Sequence, residues 1–542
     1  MNRFTRITSY RVSIFLLVKC LAVPASAARD MSSKDVPAAV SSAVGAGAAS
    51  SRLDVVPATV LSQMMSFLSL KDDLQASRAN RSMHAISLLP QAERFKREPL
   101  IFTFYKGENK IEERIARFSR WWRPIERRLP PQPKVHGQGA KLQLMHVTPH
   151  TMKALPLTAA SHIAELELVL DEEGKSLIGD ADFNARVGAM RNLQRLTLGG
   201  FFPAVFDYLG ALITQLQEST RAVLTKLRLV SLELTATKVE SIAPALMLLP
   251  KLQELALFAN PDLGAVGVLA VINALSSSAR ATITSLDLSN VGLIADNAPT
   301  LATALAQLPN LQKLILSDNR GLGVGVATAI NALSSSARAT ITSLYLSNVG
   351  LTADNAPTFA KALAQLPNLQ KLILSNNPDL GAAGVLAAIN ASPSAIRATT
   401  TVLELIDVGL TADNVALLVP AFASLPNLQE LVLSSNPRLG AAGVITAVNA
   451  LSPSAKVKIE TLHLFNVGLA TSNAATLAPV LAQLPNLKNL FVNDNPLYAA
   501  ALRVLASSLP PSAVIFCGLG KISGTRAHPP SAEVPDLQLP PP

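Results

Sequence analysis

Cysteine is almost missing from this chain: Cys20 and Cys517 are the two among 542 residues. Cys20 falls in a segment read below as removable, which leaves one thiol and excludes a disulfide-stapled scaffold. Aromatic residues make up only 4% of the sequence against 49% apolar. A core of that composition is built from many small aliphatic layers, not from a few large rings. Beyond the N-terminus no stretch reaches roughly 18 uninterrupted apolar residues, so no membrane association is expected of the mature chain. The seven histidines form no H-E-x-x-H or other paired-ligand spacing, and no G-x-x-x-x-G-K-[ST] phosphate loop is present. No catalytic residue, no metal and no cofactor is therefore expected, and the chain does not read as an enzyme.

Charge is scarce too, at 15% of residues, and its net value of +10 is unevenly placed. Leu74–Leu155 holds 16 Lys and Arg against 6 Asp and Glu, whereas Pro250–Pro510 balances at 13 against 13. The middle of the chain therefore has no electrostatic footprint for nucleic acid, and none is expected as a partner.

The N-terminus has the features of a secretory signal over residues 1–27. Arg3, Arg6 and Arg11 precede the apolar stretch VSIFLLVKCLAV, and Ala25-Ser26-Ala27 forms an A-x-A cleavage site. Residues 28–51, rich in Ala, Ser and Gly, read as a flexible linker. Residues 53–89 carry three short apolar patterns at helical spacing. One runs through Val60, Leu61, Met64, Phe67 and Leu68; one follows Asp72-Asp73; one runs through Met83, Ile86 and Leu89. They predict a small all-α domain. Residues 90–161 read as a basic helical connector in which Trp121 and Trp122 pack against the first repeat. Residues 521–542 are rich in proline and read as a disordered tail.

Between lies a periodic array, expected over residues 162–517. Pro250, Pro309, Pro367, Pro426 and Pro485 are separated by 59, 58, 59 and 59 residues, and Asn260, Asn319, Asn377, Asn436 and Asn495 keep the same steps. NALSSSARATITSL occurs twice unchanged, at Asn273–Leu286 and Asn331–Leu344, the mark of a duplicated unit. Each unit holds two half-repeats, LQKLILSDN at Leu311–Asn319 and ITSLYLSNVGL at Ile341–Leu351. Both fit L-x-x-L-x-L-x-x-N-x-L. Leu314 and Leu316 alternate to one side of a short strand. A helix follows, for which Asn355 is a candidate cap and Pro357 sits in the first turn. No single repeat buries its apolar side alone, so neighbours must stack. Weaker copies precede these at His162–Leu170, Asn192–Leu198 and Leu224–Leu234.

The alternation of N-x-x-LGAAGV with NVGLTADN resembles the ribonuclease-inhibitor class of leucine-rich repeat. Val291, Val349, Val408 and Val467 stand where that family has cysteine. The resemblance implies an α/β horseshoe with a parallel sheet on its concave side, helices outside and a protein ligand along the concave rim. Residues 53–89 resemble an F-box through Pro57, Leu61, Phe67, Leu68, Asp73-Leu74 and Asn80-Arg81. They depart from it in lacking the usual tryptophan of the third helix and in having Val56 before the proline. That resemblance implies a Skp-type adaptor of a cullin–RING ubiquitin ligase as a partner, bound through Pro57, Leu61, Phe67, Leu68 and Leu74.

Comparing copies within the chain separates constant from variable positions. The strand leucines barely change, whereas the residue between them is Asp287, Tyr345, Glu404 and His463 in the second halves and Ala256, Ile315, Ile373, Val432 and Phe491 in the first. Varied chemistry on a constant scaffold marks Asp287, Tyr345, Glu404, His463 and Phe491 as the candidate ligand-binding concave face, with Tyr345 and Phe491 as anchors. A GTPase-activating role, known in one family with this repeat class, would need an arginine-presenting loop, and nothing in the sequence singles one out. Two further readings stay open. One is a substrate-recruiting F-box protein, exported by a bacterium living inside a eukaryotic cell and acting in the host cytoplasm. The other is a secreted or periplasmic repeat-binding protein with no ligase link.

Overall fold

The computed structural model describes residues 100–103, 118–119, 122, 142–170, 180–200, 206–517 and 520–523. The signal segment, the linker and the F-box-like residues 53–89 lie outside the described residues. The rest divides into two compact units. One comprises the described residues up to Ala256 together with Asn273–Thr282; the other comprises Leu257–Ile272 and the described residues from Ile283 onward.

The first unit is a stack of parallel strands: β1 (Leu100–Thr103), β2 (Leu142–Val147), β3 (Ile163–Leu170), β4 (Arg195–Gly200), β5 (Lys226–Val230) and β6 (Glu254–Ala256). Each pairs with the next in parallel. This corrects the expectation of a helical connector over residues 90–161. Helices do occur there, at Pro149–Ala154 and Leu157–Ala160, but LIFT and LQLMHV are strands, so the parallel pairing begins before His162. The physical reason is that the first repeat strand has an edge of unpaired backbone groups, which another strand satisfies. Trp122 is fully buried, stacked on Phe118 and tilted against His162 at 5.4 Å between ring centroids. Its indole N–H donates to Thr158 Oγ1 at 3.4 Å.

The second unit continues the pattern with strands of three or four residues. These are β7 (Ser285–Asp287), β8 (Lys313–Ile315), β9 (Ser343–Tyr345), β10 (Lys371–Ile373), β11 (Val402–Glu404), β12 (Glu430–Val432), β13 (Thr461–His463), β14 (Asn489–Phe491), β15 (Val514–Cys517) and β16 (Gly520–Ser523). All pairings are parallel except that of β16, which runs antiparallel to β15. Lys521–Ser523 therefore belong to the sheet, which corrects the expected boundary of the tail at residue 521. A hairpin strand there covers the last exposed edge.

The alternation read from the sequence is what buries the core. Leu314 and Leu316, like Leu344 and Leu346, are at most 1% exposed, while the residues between and before them are half-buried. The helix of the second half, Ala356–Leu363, starts with Pro357 in its first turn and buries Ala356, Phe359, Ala362 and Leu363. Asn355 holds the cap position but does not cap with its side chain. Its Oδ1 instead accepts the backbone N–H of Thr352 at 3.0 Å. Asn297, Asn414 and Asn473 do the same for Ile294, Thr411 and Ala470.

Two backbone devices close each turn. Asn319, Asn377 and Asn436 are at most 2% exposed. Asn377 Oδ1 accepts from Val349 N and Leu351 N, both at 3.1 Å, and its Nδ2 donates to Leu346 O at 2.8 Å and Leu374 O at 2.7 Å. One asparagine thus satisfies the turns of two successive repeats, which explains why the second halves manage with valine. The other device is the glycine of the NVGL motif. Gly350 has φ +75°, and a Cβ there would lie 2.1 Å from Arg320 O, so no other residue fits.

In the second unit the pairing lapses between β10 and β11, which are not paired with each other. The buried isoleucines Ile283, Ile341 and Ile459 have Thr400 as their counterpart in this unit, and Thr400 is half-buried. The flanking core residues Leu372 and Leu403 are half-buried as well, unlike Leu344 and Leu431. A hydroxyl in an all-aliphatic layer resists burial. Backbone contact resumes just beyond, where Asn376 N donates to Ile406 O at 2.7 Å and Gly381 N to Val408 O at 2.9 Å.

Candidate functional site

Strands this short present two side chains each to the open face of the sheet, the first and third residues, because the leucine between them points into the core. Parallel pairing in register then aligns these positions into rows across the second unit. Asp287, Ile315, Tyr345 and Ile373 form one row over β7 to β10. Glu404, Val432, His463, Phe491 and Phe516 form another over β11 to β15. The five residues singled out from the sequence all sit at the third strand position, and all are half-buried. They fall into two rows, Asp287 with Tyr345 and Glu404 with His463 and Phe491, on either side of the β10–β11 lapse. Ala256, named from the same comparison, closes β6 in the first unit and is buried.

The second row ends in stacked rings. The imidazole of His463 lies 4.4 Å from the ring of Phe491 at an interplanar angle of 4°, and Phe491 lies 4.3 Å from Phe516 at 11°. The strand spacing sets this separation: rings at one register position on adjacent strands stand about 4.7–4.9 Å apart and stack face to face. His463 Nε2 is 3.0 Å from Glu430 Oε1, which orients the outer ring. The result is a half-exposed aromatic strip in a chain with few aromatics.

The first row is built differently. Tyr345 on β9 lies between Lys313 on β8 and Lys371 on β10, whose Nζ atoms are 5.0 and 5.2 Å from the ring centroid. Asp287 is engaged by its own turn, its Oδ1 accepting Ser289 N at 3.0 Å and Ser289 Oγ at 2.7 Å.

Sequence comparison missed Phe516, Lys313 and Lys371. Phe516 aligns with Phe491 once VIFC is read as a strand, so its signal was present. The two lysines sit at the first strand position, outside the single variable position compared. Cys517, next to Phe516 at the end of β15, is half-buried, less enclosed than an apolar VIFC strand suggests. Pro57, Leu61, Phe67, Leu68 and Leu74, the residues proposed for an adaptor, lie outside the described residues. Among the described residues no group of three or more His, Cys, Asp or Glu side chains is placed to hold a metal ion. Among them also, no helix is long and apolar enough to cross a membrane.

No family model matches the chain. It is similar to the ribonuclease inhibitor of Mus musculus, 32% identical over 278 residues, covering 51% of this chain and 59% of the inhibitor. The Sus scrofa ribonuclease inhibitor is 34% identical over 278 residues with the same coverage. The match therefore spans 59% of the length of these curated relatives. Among solved structures, the leucine-rich repeat-containing protein LegL7 from Legionella pneumophila is 17% identical, covers 50% of this chain and 85% of its own, and has a TM-score of 0.33. The Rad7 and Elc1 complex in yeast is 18% identical, covers 58% and 83%, and also has a TM-score of 0.33. The fold is an α/β repeat of parallel strands. More particularly, it is a leucine-rich repeat of the ribonuclease-inhibitor-like kind, as the NVGL glycines and the asparagine ladder require.

Proposed function

We propose that the chain is a protein-binding repeat protein whose second unit seats a protein ligand on the open face of its sheet. The observation that carries this is the strip His463–Phe491–Phe516, half-exposed and pre-stacked. Pre-ordered rings lose little rotamer freedom on binding, and aromatic side chains dominate binding energies at protein interfaces. The resemblance to ribonuclease inhibitors supports a protein ligand in the same sense. The test is quantitative capture from extracts by the full chain and by a Phe491→Ala variant, with Arg438→Ala as a control outside the rows. Proteins that depend on Phe491 and not on Arg438 support the reading; identical capture by all three sinks it.

The finer reading is that residues 53–89 dock a Skp-type adaptor of a cullin–RING ligase while the repeats hold its substrate. Pro57, Leu61, Phe67, Leu68 and Leu74 support it by their spacing. Export through residues 1–27 would place such a protein outside the cell that made it. Co-precipitation of the full chain with a purified Skp-type adaptor tests it. Binding lost on Leu61→Asp with Phe67→Asp supports the docking face, and an adaptor bound equally by that variant overturns it.

A further inference from the structure

Several basic side chains on or next to the strands, with Arg195 and Lys226 at the first strand position among them, are matched by a carboxylate on or next to the neighbouring strand. In the first unit Arg195 pairs with Glu165 at 3.1 Å and Lys226 with Glu254. In the second unit His463 meets Glu430 at 3.0 Å, and Lys488, one residue before β14, meets Glu460 at 2.7 Å. Lys313 and Lys371 are not matched in this way. Their register partners are Ser285, Ser343 and, between them, each other's shared neighbour β9, with no acidic residue at that position from β7 to β10. Among the described residues neither makes a salt bridge; both ammonium groups are drawn instead to the face of Tyr345. A ring quadrupole attracts a cation but leaves its charge uncompensated, so the pair retains its capacity for an anion.

We propose that Lys313, Tyr345 and Lys371 form a clamp for carboxylate side chains, and that the partner on this face presents a short acidic segment there. This rests on the protein-binding reading above and names the chemistry of its ligand. The tyrosine draws both ammonium groups to its ring, so a carboxylate seated at the ring's outer edge has two cations and a phenol hydroxyl within reach of it. Size and surroundings select protein carboxylates over a nucleic-acid backbone. The clamp supplies two cations, and Asp287 stands in the same row on β7. A polyanion running along the row would meet that carboxylate and would gain little from counterion release at two lysines. A segment with one or two acidic residues avoids both penalties.

The test uses the full chain and a fluorescein-labelled Gly-Ser-Glu-Glu-Ser-Gly peptide, read by fluorescence anisotropy at low and physiological salt, with a single-stranded DNA dodecamer as competitor. The expected result is salt-sensitive peptide binding that weakens about five- to tenfold in Lys313→Gln/Lys371→Gln. Tyr345→Phe should keep it and Tyr345→Leu should lose part of it, since the ring and not the hydroxyl orients the lysines. Peptide binding unchanged in the double variant overturns the clamp, as does DNA that binds more tightly than the peptide. Circular dichroism and melting of the double variant confirm that it is folded, which surface substitutions of this kind leave intact. Captured proteins that depend on Phe491 but not on these lysines would remove the clamp and leave the binding face standing. Dependence on neither would remove both.

Discussion

His463 and Phe491 lie face to face, 4.4 Å apart and within 4° of parallel, although 28 residues separate them in the chain. The pairing of β13 with β14 puts them there, and Phe516 extends the stack by one more strand. Replacing Phe491 with alanine removes the middle ring and both contacts. A partner seated on the strip should lose more than about 1 kcal/mol of affinity, whereas the fold should lose about 1–2 kcal/mol from the broken stacking. Isothermal titration and thermal melting on the same preparation separate the two effects. An unaltered affinity would mean that the rings stabilise the sheet and bind nothing.

Neighbouring positions on β9 and just after it provide an internal control. Leu346 is fully buried and Tyr345 is half-buried. Leu346→Ala should destabilise the second unit by roughly 2–5 kcal/mol, as a cavity in a packed aliphatic layer does. Tyr345→Ala should cost less than about 1 kcal/mol, because its ring touches two flexible lysines rather than the core. Equal losses in the two variants would show that Tyr345 is a core residue.

The repeat was legible because its physics is local and periodic. A leucine at every second strand position, a proline in the first helical turn and a glycine at a positive φ each leave a fixed mark at a fixed step. Tyr345, His463 and Phe491 were found the same way, as variation on that background. What escaped depended on pairing between distant residues. β1 and β2 lack the repeat consensus and are strands because a sheet edge adjoins them. The side chain of Asn355 was read as a helix cap, yet it turns back to Thr352, a choice between two nearby N–H donors that spacing does not decide. Lys313 and Lys371 acquire meaning only beside Tyr345, and only because Arg195 and Lys226, at the same strand position, are paired with carboxylates. The lapse at β10–β11 hangs on Thr400 in place of isoleucine, a change of one residue in a layer.

Gly350 offers a sharper test of the turn. Its φ of +75° and the 2.1 Å approach of a Cβ to Arg320 O leave alanine both strained and in collision with backbone. Gly350→Ala should destabilise the protein by more than about 2 kcal/mol, combining left-handed strain of about 1–2 kcal/mol with the shift needed to relieve the clash. Gly264, at φ +60° with open space around its Cβ position, should show the strain alone. Urea unfolding midpoints of the two variants should differ accordingly. Identical midpoints would mean that the chain relaxes around Gly350 at no cost.

The first unit carries a pH-dependent contact at its helix 181–189. Asp180 accepts Lys153 Nζ at 2.7 Å and the backbone N–H groups of Asp182 and Phe183 at 3.0 Å each. The Lys153 hydrogen bond foremost, then that from Phe183, holds the carboxyl below the usual aspartate range. A carboxylate whose pKa is lower in the folded state stabilises above its unfolded value, about 3.9, and loses that contribution as pH falls through the lowered one. Asp180→Asn should therefore melt below the wild type at neutral pH, and the gap should close as the solution is acidified below about pH 4. A gap that stays constant with pH would assign the effect to lost capping geometry alone.

The last test concerns the sharing of one asparagine by two repeats. Asn377 is 1% exposed, and its five bonds reach Val349 N, Leu351 N, Leu346 O, Leu374 O and Ser375 O. Alanine at 377 leaves the two N–H groups of the preceding turn buried with no acceptor, at about 1–3 kcal/mol each. The expected loss is about 2–6 kcal/mol, well above that for Asn355→Ala, whose single accepted bond lies in a half-buried turn. The position of the damage matters more than its size. Because the unsatisfied groups belong to the turn after β9 and the freed carbonyl Leu374 O to the turn after β10, hydrogen exchange should quicken in both repeats together. Val349 N and Leu351 N should be the first amides to lose protection, although neither residue is altered. Asn377→Asp keeps an acceptor for those N–H groups but gives up both donors and buries a charge, so it should destabilise most at neutral pH and recover in part as the carboxyl is protonated. Exchange that quickens only around residue 377 would show that each turn closes by itself, and that Val349 holds the place of an asparagine without depending on the next one.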